Sequence, residues 1–464
     1  NRMRFGAEVL AAVRDAAGPT VAVGLRLVGD EEQWDGSGLG AADAAEIGAA
    51  YEAMGLVDFL NVSVGTSGMG MVRTNYTKPG FGVSAAATVR AAVTSTPVFA
   101  VHRILDPDQA EAILVDGGAD GICLVRALIA DPDWVEKAAT GRAAEIRRCT
   151  GSNQSCYGNL INGMPVSCVQ NPAVGREAEL GAGTLGTADV AKRVVVVGGG
   201  PAGLEAAWVA AARGHEVTLL ERSHALGGAI RLAAQLPGRS EMAAVADWRA
   251  GECERQGVDV RLGVTADVDS VLALQPDAVI VATGGRADKG IKAKYHPTPV
   301  LGYEQGFVID HIEALQRALA GDLTGKVVVL DAVGHIEAIG LGELLGRQDV
   351  DVTVVTALSA PISLAPETQQ AALPRAVRAG MTWRPNTVLG AIGDHEVTLV
   401  DALSHAIEQV PVDWVVIRTH GRPENALVAE LEGKVAEVIA VGDAVAVRPA
   451  DRAIWDGHQA GRTL

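Results

Sequence analysis

The chain has 464 residues, 48% hydrophobic and 20% charged, enough for about three domains and too apolar for a disordered polymer. Its 39 Lys and Arg against 56 Asp and Glu leave a net charge of −17, which argues against nucleic acid or an anionic membrane as main partner. No stretch approaches the roughly 20 apolar residues of a membrane span and no apolar signal core follows the first residues, so a cytoplasmic protein acting on a small molecule is expected.

In residues 1–145, apolar runs alternate with helix-period segments. The runs 21–27 (VAVGLRL), 59–65 (FLNVSVG), 97–101 (PVFAV) and 121–125 (GICLV) read as strands. Helices are predicted over 41–54, 84–93 and 108–115 and from residue 126. That alternation indicates βα units on a parallel sheet. Both a doubly wound sheet and a TIM barrel fit, and four units make half of an eight-stranded barrel. Arg26, Thr66, His102, Arg103 and Arg126 fall at or just past strand C-termini, the rim where a barrel builds its site. His102, Arg103 and Arg126, on the last two strands, suit a phosphate.

Residues 148–172 read RCTGSNQSCYGNLINGMPVSCVQNP, with Cys149, Cys156 and Cys168 in a Gly/Ser/Asn-rich segment. Clustered thiols on a pliable loop are what an iron–sulfur cluster requires. A zinc site would want four Cys or His ligands, and this stretch has no His. Three unconnected thiols are the bland alternative.

After a Gly/Thr/Ala-rich linker, strand 193–197 (RVVVV) runs into Gly198-Gly199-Gly200-Pro201-Ala202-Gly203 and a helix. Gly198, Gly200 and Gly203 have the spacing that lets a pyrophosphate approach a helix N-terminus. Glu221 ends the next strand, placed to accept hydrogen bonds from a ribose. A second such beginning, 326–330 (KVVVL), is followed by Asp331-Ala332-Val333-Gly334-His335-Ile336-Glu337. Asp331 would oppose a pyrophosphate there, and Glu337 stands where the last glycine belongs.

The cysteine segment resembles the cluster loop of the iron–sulfur flavoproteins that include trimethylamine dehydrogenase, histamine dehydrogenase and 2,4-dienoyl-CoA reductase. Their pattern is Cys-x2-Cys-x2/3-Cys-x11-Cys followed by an Asn-Pro-like turn. Cys149, Cys156, Cys168 and Asn171-Pro172 match, and Ser152 takes the second ligand place. The resemblance implies a 4Fe-4S cluster with an oxygen ligand, a 3Fe-4S cluster, or none.

It also implies an α/β chain made of the C-terminal half of an old-yellow-enzyme-type TIM (β/α)8 barrel over 1–145 and a cluster loop and linker over 146–190. An FAD-type domain over 191–300 plus 421–464 and an inserted, degenerate NAD(P)-type domain over 301–420 would complete it. The barrel's first four strands are then expected to lie outside this sequence, or on a partner chain. Arg26 corresponds to the arginine at the FMN pyrimidine edge, and His102, Arg103 and Arg126 to the FMN phosphate region, where the family has glycine at position 102. Tyr76 is the candidate to reach the flavin face. The turn at Gly228, Thr283 in 278–285 (AVIVATGG) and Asp443 in 438–444 (VIAVGDA) resemble further FAD contacts, although ADP can take that place in the amine dehydrogenases.

These readings make the chain a flavin-dependent oxidoreductase. Electrons would pass from a small amine or alcohol through FMN and an iron–sulfur cluster to the FAD-type domain or an electron-transfer protein. Two alternatives stand beside it: an NAD(P)H-dependent enoate or dienoyl-CoA reductase, and a catalytically silent or split subunit. A homo-oligomer is expected.

Overall fold

The computed structural model describes residues 3–33, 36–65, 72–290 and 299–464. The chain divides into two compact units, Asn1–Gly151 and Ser152–Leu464. Among the described residues no helix is long and apolar enough to cross a membrane. Thr66 lies outside the described residues.

In the first unit, strands β1 (Gly24–Asp30), β2 (Phe59–Val64), β3 (Val98–Ala100) and β4 (Gly121–Ile122) pair in parallel in the order β1-β2-β3-β4. Helices Ala41–Ala53, Val83–Ala92, Pro107–Val115 and Arg126–Ala130 follow the strands in turn. This is the βα progression of a (β/α)8 barrel. Leu60, Val62, Ala86, Val89 and Val98 are fully buried between strands and helices.

The first strand starts later than the apolar run suggests. The Asp58 carboxylate accepts the Val23 N–H at 2.6 Å and an Arg14 N–H at 2.7 Å, which ties the chain down before the ladder begins. Pairing opens at Gly24 opposite Phe59. A Cβ on Gly24 would lie 2.1 Å from the Phe59 ring, so only glycine lets these strands close.

The second unit holds two parallel five-stranded sheets. The first contains β5 (Arg193–Val197), β6 (Glu216–Glu221), β7 (Asp259–Leu262) and β8 (Ala278–Val281). A short β9 (Gly285–Arg286) leads out of it. The second sheet contains β10 (Val308–Asp310), β11 (Lys326–Asp331), β12 (Asp351–Val355) and β13 (Thr382–Arg384). An antiparallel meander follows, β14 (Thr387–Ile392), β15 (Glu396–Asp401) and β16 (Ile407–Pro411). The chain re-enters the second sheet as β17 (Trp414–Arg418), returns through β18 (Arg422–Pro423), which pairs with β9, and completes the first sheet with β19 (Glu437–Ala440). The orders are β19-β8-β5-β6-β7 and β10-β17-β11-β12-β13. Each sheet therefore reverses its strand order beside its fingerprint strand, at β5/β8 and β11/β17, and ligands of doubly wound sheets bind at such switch points.

One loop of the first unit is held by a carboxylate that accepts several amides. Glu52 receives N–H bonds from Thr94, Ser95 and Thr96 at 2.7–3.1 Å. The Ser95 and Thr94 amides hold its pKa down at about 2. A folded pKa below the unfolded value stabilises the fold above about pH 4.5, and the gain is lost as pH falls towards 2. Glu52→Gln is expected to lower the melting temperature at pH 7 by roughly 2–4 °C, with the gap to the parent closing below about pH 3 in a calorimetric pH series.

Candidate functional site

In the first unit, a cavity of about 300 Å³ opens at the C-terminal ends of the strands. Its lining includes Arg26 from β1, His102 and Arg103 after β3, and Cys123 and Arg126 after β4, together with Cys149. Among the described residues no carboxylate lines it. Three guanidiniums without a competing acid suit a dianionic phosphate, to which Arg can bind bidentately. Arg126 is aimed by an Nη1 donation to the Arg73 carbonyl at 2.9 Å. Gly151 lies so close to Arg103 that a Cβ there would sit 2.1 Å from Nη1.

His102 shows what the glycine expected at its position would supply. Its φ is +86°, in the region glycine favours, so the backbone conformation is kept and a side chain added. That side chain is buried. Nε2 accepts the Val64 N–H at 2.8 Å, and the ring packs on Phe81 with centroids 4.6 Å apart. Burial first, then Arg26, Arg126 and Arg73, push its pKa down to about 4. The imidazole is therefore neutral at pH 7, with its proton on Nδ1. Nearby, Cys123 Sγ accepts the Asn61 side-chain N–H at 2.7 Å, and burial raises its pKa. Tyr76 is half-buried in the loop after β2 and is not among the residues lining the cavity.

The second unit builds its fingerprint turn between β5 and the helix Pro201–Ala212. A Cβ on Gly198 would sit 2.3 Å from the Ala282 carbonyl oxygen, and one on Gly203 would sit 1.9 Å from that of Gly198. These two glycines exist for close packing. Gly200 differs: nothing lies within 4 Å of its would-be Cβ, and its φ of −76° suits any residue. The space left over the helix N-terminus is the cradle a pyrophosphate would fill.

The remaining expected residues border that turn. Glu221, buried at the end of β6, accepts N–H bonds from Gly199 and Ser223, both at 2.7 Å. Gly228 has a φ of +51°, and its would-be Cβ lies 3.4 Å from the Gly200 Cα. Thr283 Oγ1 donates to the Glu424 carbonyl. Asp443 accepts the Arg448 N–H at 3.1 Å, and burial raises its pKa against that bond.

The second sheet's switch point is furnished with charge. Asp331 ends β11 fully buried, and its Oδ1 accepts the Val333 and Gly334 N–H groups at 3.0 and 2.8 Å. Burial raises its pKa despite these two bonds. Glu337 lies 2.6 Å from His335 Nδ1 and 3.6 Å from Arg418 Nη2. Burial opposes its charge, but His335 and Arg418 hold its pKa well below the usual range. Sequence reasoning missed Arg418 and the pairing of His335, because β17 enters this sheet more than 80 residues after β11.

Among the described residues, no three His, Cys, Asp or Glu side chains are grouped so as to hold a metal ion. Cys149 Sγ accepts the Gly151 N–H at 3.4 Å, and Cys168 Sγ accepts the Gln170 N–H at 3.3 Å. Cys156 is half-buried and Ser152 is buried.

Comparison with known proteins follows the same division. The NADH:flavin oxidoreductase / NADH oxidase family matches residues 1–145, and the pyridine nucleotide-disulphide oxidoreductase family matches residues 192–447. A curated NADH oxidase of Thermoanaerobacter brockii is 33% identical over 464 residues, covering 99% of this chain and 69% of that protein. The chain belongs to this family of flavin oxidoreductases, an FMN-barrel domain fused to an FAD/NAD-type domain.

The N,N-dimethylglycine/sarcosine dehydrogenase of Chromohalobacter salexigens is 35% identical, over 92% of this chain and 62% of that protein. The chain thus spans roughly two-thirds of the length of these relatives. The solved structure of 6-hydroxypseudooxynicotine amine oxidase from Pseudomonas geniculata superposes with a TM-score of 0.89 at 28% identity, covering all of this chain and 70% of that one.

Three substitutions check these sites. Gly200→Val is expected to move the melting temperature little, since surface changes stay within about 0.5 kcal/mol, while adenine nucleotide recovered from the purified protein falls to background. Gly203→Ala should lose both nucleotide and stability. For His102, a folded pKa below the unfolded 6.5 means stability is lost as pH falls from about 6.5 towards 4. A shift to about 4 corresponds to about 3 kcal/mol. His102→Gln should flatten that slope in urea titrations of the first unit's unfolding.

Proposed function

We propose that this chain carries the cofactor-binding machinery of an FMN-dependent oxidoreductase that oxidises a small amine or alcohol and releases electrons without NAD(P)H. Bound FMN would supply a hydride acceptor. Arg103 and Arg126 would hold its phosphate end and Arg26 its pyrimidine edge, and neutral His102 would accept the Val64 N–H without adding charge. In the second unit, Gly198, Gly200, Gly203, Glu221, Gly228, Thr283 and Asp443 would hold FAD or ADP. We read 191–300 plus 421–464 as one domain with 301–420 inserted, a reading that the strand order of the two sheets supports.

The carrying observation is Asp331. The amides that would meet a nucleotide pyrophosphate at the second switch point are engaged by the chain's own buried carboxylate. Glu337 adds a second negative group at the start of the next helix. A dinucleotide would have to displace one acid and approach another, and like charges in a low-dielectric site repel strongly.

The expected iron–sulfur cluster rests on Cys149, Ser152, Cys156 and Cys168 and on the family likeness. No electron-transfer step is assigned to it, because among the described residues no group of three His, Cys, Asp or Glu is placed to hold a metal ion. Iron and sulfide assays on the purified protein decide that part.

The alternative, NAD(P)H-driven reduction of an activated alkene, is favoured by the likeness to the NADH oxidase of Thermoanaerobacter brockii. Anaerobic mixing of the flavin-loaded protein with NADH or NADPH separates the two. Flavin absorbance is expected to persist over minutes, and bleaching within seconds would establish the reductase instead.

A further inference from the structure

The second unit contains a fully buried charged network that neither cofactor site uses. Arg249, on the helix Ala244–Arg255, has no exposed surface. Its Nη1 donates to the Gln170 side-chain oxygen at 2.8 Å and its Nη2 to the Gln170 carbonyl at 2.7 Å. On its other side, Nε lies 2.7 Å from a carboxylate oxygen of Glu205, also fully buried. The second Glu205 oxygen meets His458 Nδ1 at 2.9 Å. Glu205 belongs to the helix Pro201–Ala212, which begins at the fingerprint turn.

Gln170 is two residues past Cys168, and its own N–H points to the Cys168 sulfur. One guanidinium therefore binds both oxygens of the residue that holds this thiol, and joins them to the helix that opens at the fingerprint turn. We infer that Arg249 is a positioning residue: it locks the Cys168 sulfur in a fixed relation to the fingerprint helix, through Gln170 on one side and Glu205 on the other. The inference concerns the thiol itself and is independent of the substrate and of the electron acceptor.

Lys keeps the charge but cannot offer a planar fork to two oxygens of one residue. Ala at position 170 removes one of those oxygens and leaves the Arg249–Glu205 pair in place. Cys253, four residues along the same helix and fully buried, reports on the core itself. Its sulfur donates to the Leu204 carbonyl at 3.5 Å, and burial pushes its pKa up to about 12.

The test is peptide-resolved iodoacetamide labelling of the intact chain, freed of iron by chelation so that Cys168 is a thiol, parent against Arg249→Lys and Gln170→Ala. Cys168 is expected to label about tenfold faster in Arg249→Lys, the effect of losing one charge-assisted hydrogen bond, and severalfold faster in Gln170→Ala. Cys123 should keep its rate and Cys253 should stay unlabelled in both. An unchanged Cys168 rate, or a rise matched by Cys253 that signals a generally loosened core, would overturn the inference. If Arg249→Lys does not fold, Gln170→Ala decides by the same criteria.

Discussion

The second unit is organised around a contact that leaves no room for a side chain. The helix Pro201–Ala212 approaches its preceding turn so closely that Gly203 has the Gly198 carbonyl where its Cβ would be. The closing helix Ala450–Thr463 presses on it from the other side. A Cβ on Gly457 would sit 2.1 Å from the Ala202 carbonyl, and one on Gly461 would sit 2.8 Å from the Val209 Cβ. Backbone packed on backbone fixes the helix axis, and hence the direction of the unpaired N–H groups at its start. Those groups look into the opening above Gly200. Packing and binding thus come from the same short motif: two glycines bring the elements together, and the third leaves a space.

The inserted sheet repeats this architecture with opposite chemistry. Strand, turn and helix recur from β11 into Ile336–Gly346. There the turn amides are satisfied internally by Asp331, and Arg418, paired with Asp331 across β11 and β17, supplies a positive charge close by. Asp331 Oδ1 satisfies the two turn amides, which offsets part of the cost of burying the carboxylate. The strand–turn–helix geometry recurs, with a carboxylate of the chain on two of the turn's amides.

Much of this was legible in the sequence, and what was not has a physical reason. The runs of valine and alanine at β5, β8 and β11 and the helix-period segments between strands set the elements to within a few residues, because parallel strands covered on both faces must be apolar throughout. The spacing of Gly198, Gly200 and Gly203 pointed to a turn, but not to which glycine packs and which opens; that depends on Ala282, 84 positions after Gly198. His102 was visible as a departure from glycine. Its neutral state follows only from burial beside three arginines, a grouping no linear spacing displays. The late start of β1 depended on Asp58, a residue without strand or helix periodicity. Arg249 was invisible altogether. It is one arginine in a helix of mixed polarity, and its partners lie 44 positions before it at Glu205 and 79 before it at Gln170.

That invisibility bears on what such a network does. A buried ion pair sacrifices hydration that its Coulomb attraction recovers only with good geometry, and apolar replacements of the same volume often fold as stably. Stability alone is therefore a weak reason for placing Arg249, Glu205 and His458 inside an alanine- and valine-rich core. Directionality is a stronger one. Apolar contacts tolerate small slides and rotations, whereas a guanidinium holding two oxygens of Gln170 on one edge and a carboxylate on the other permits one arrangement of the three segments. The segment so held carries Cys168, and the helix so held opens at Gly200. A core that needed only to be full would have used leucine there; one that must set a sulfur at a defined place beside a nucleotide-binding helix has a use for charge.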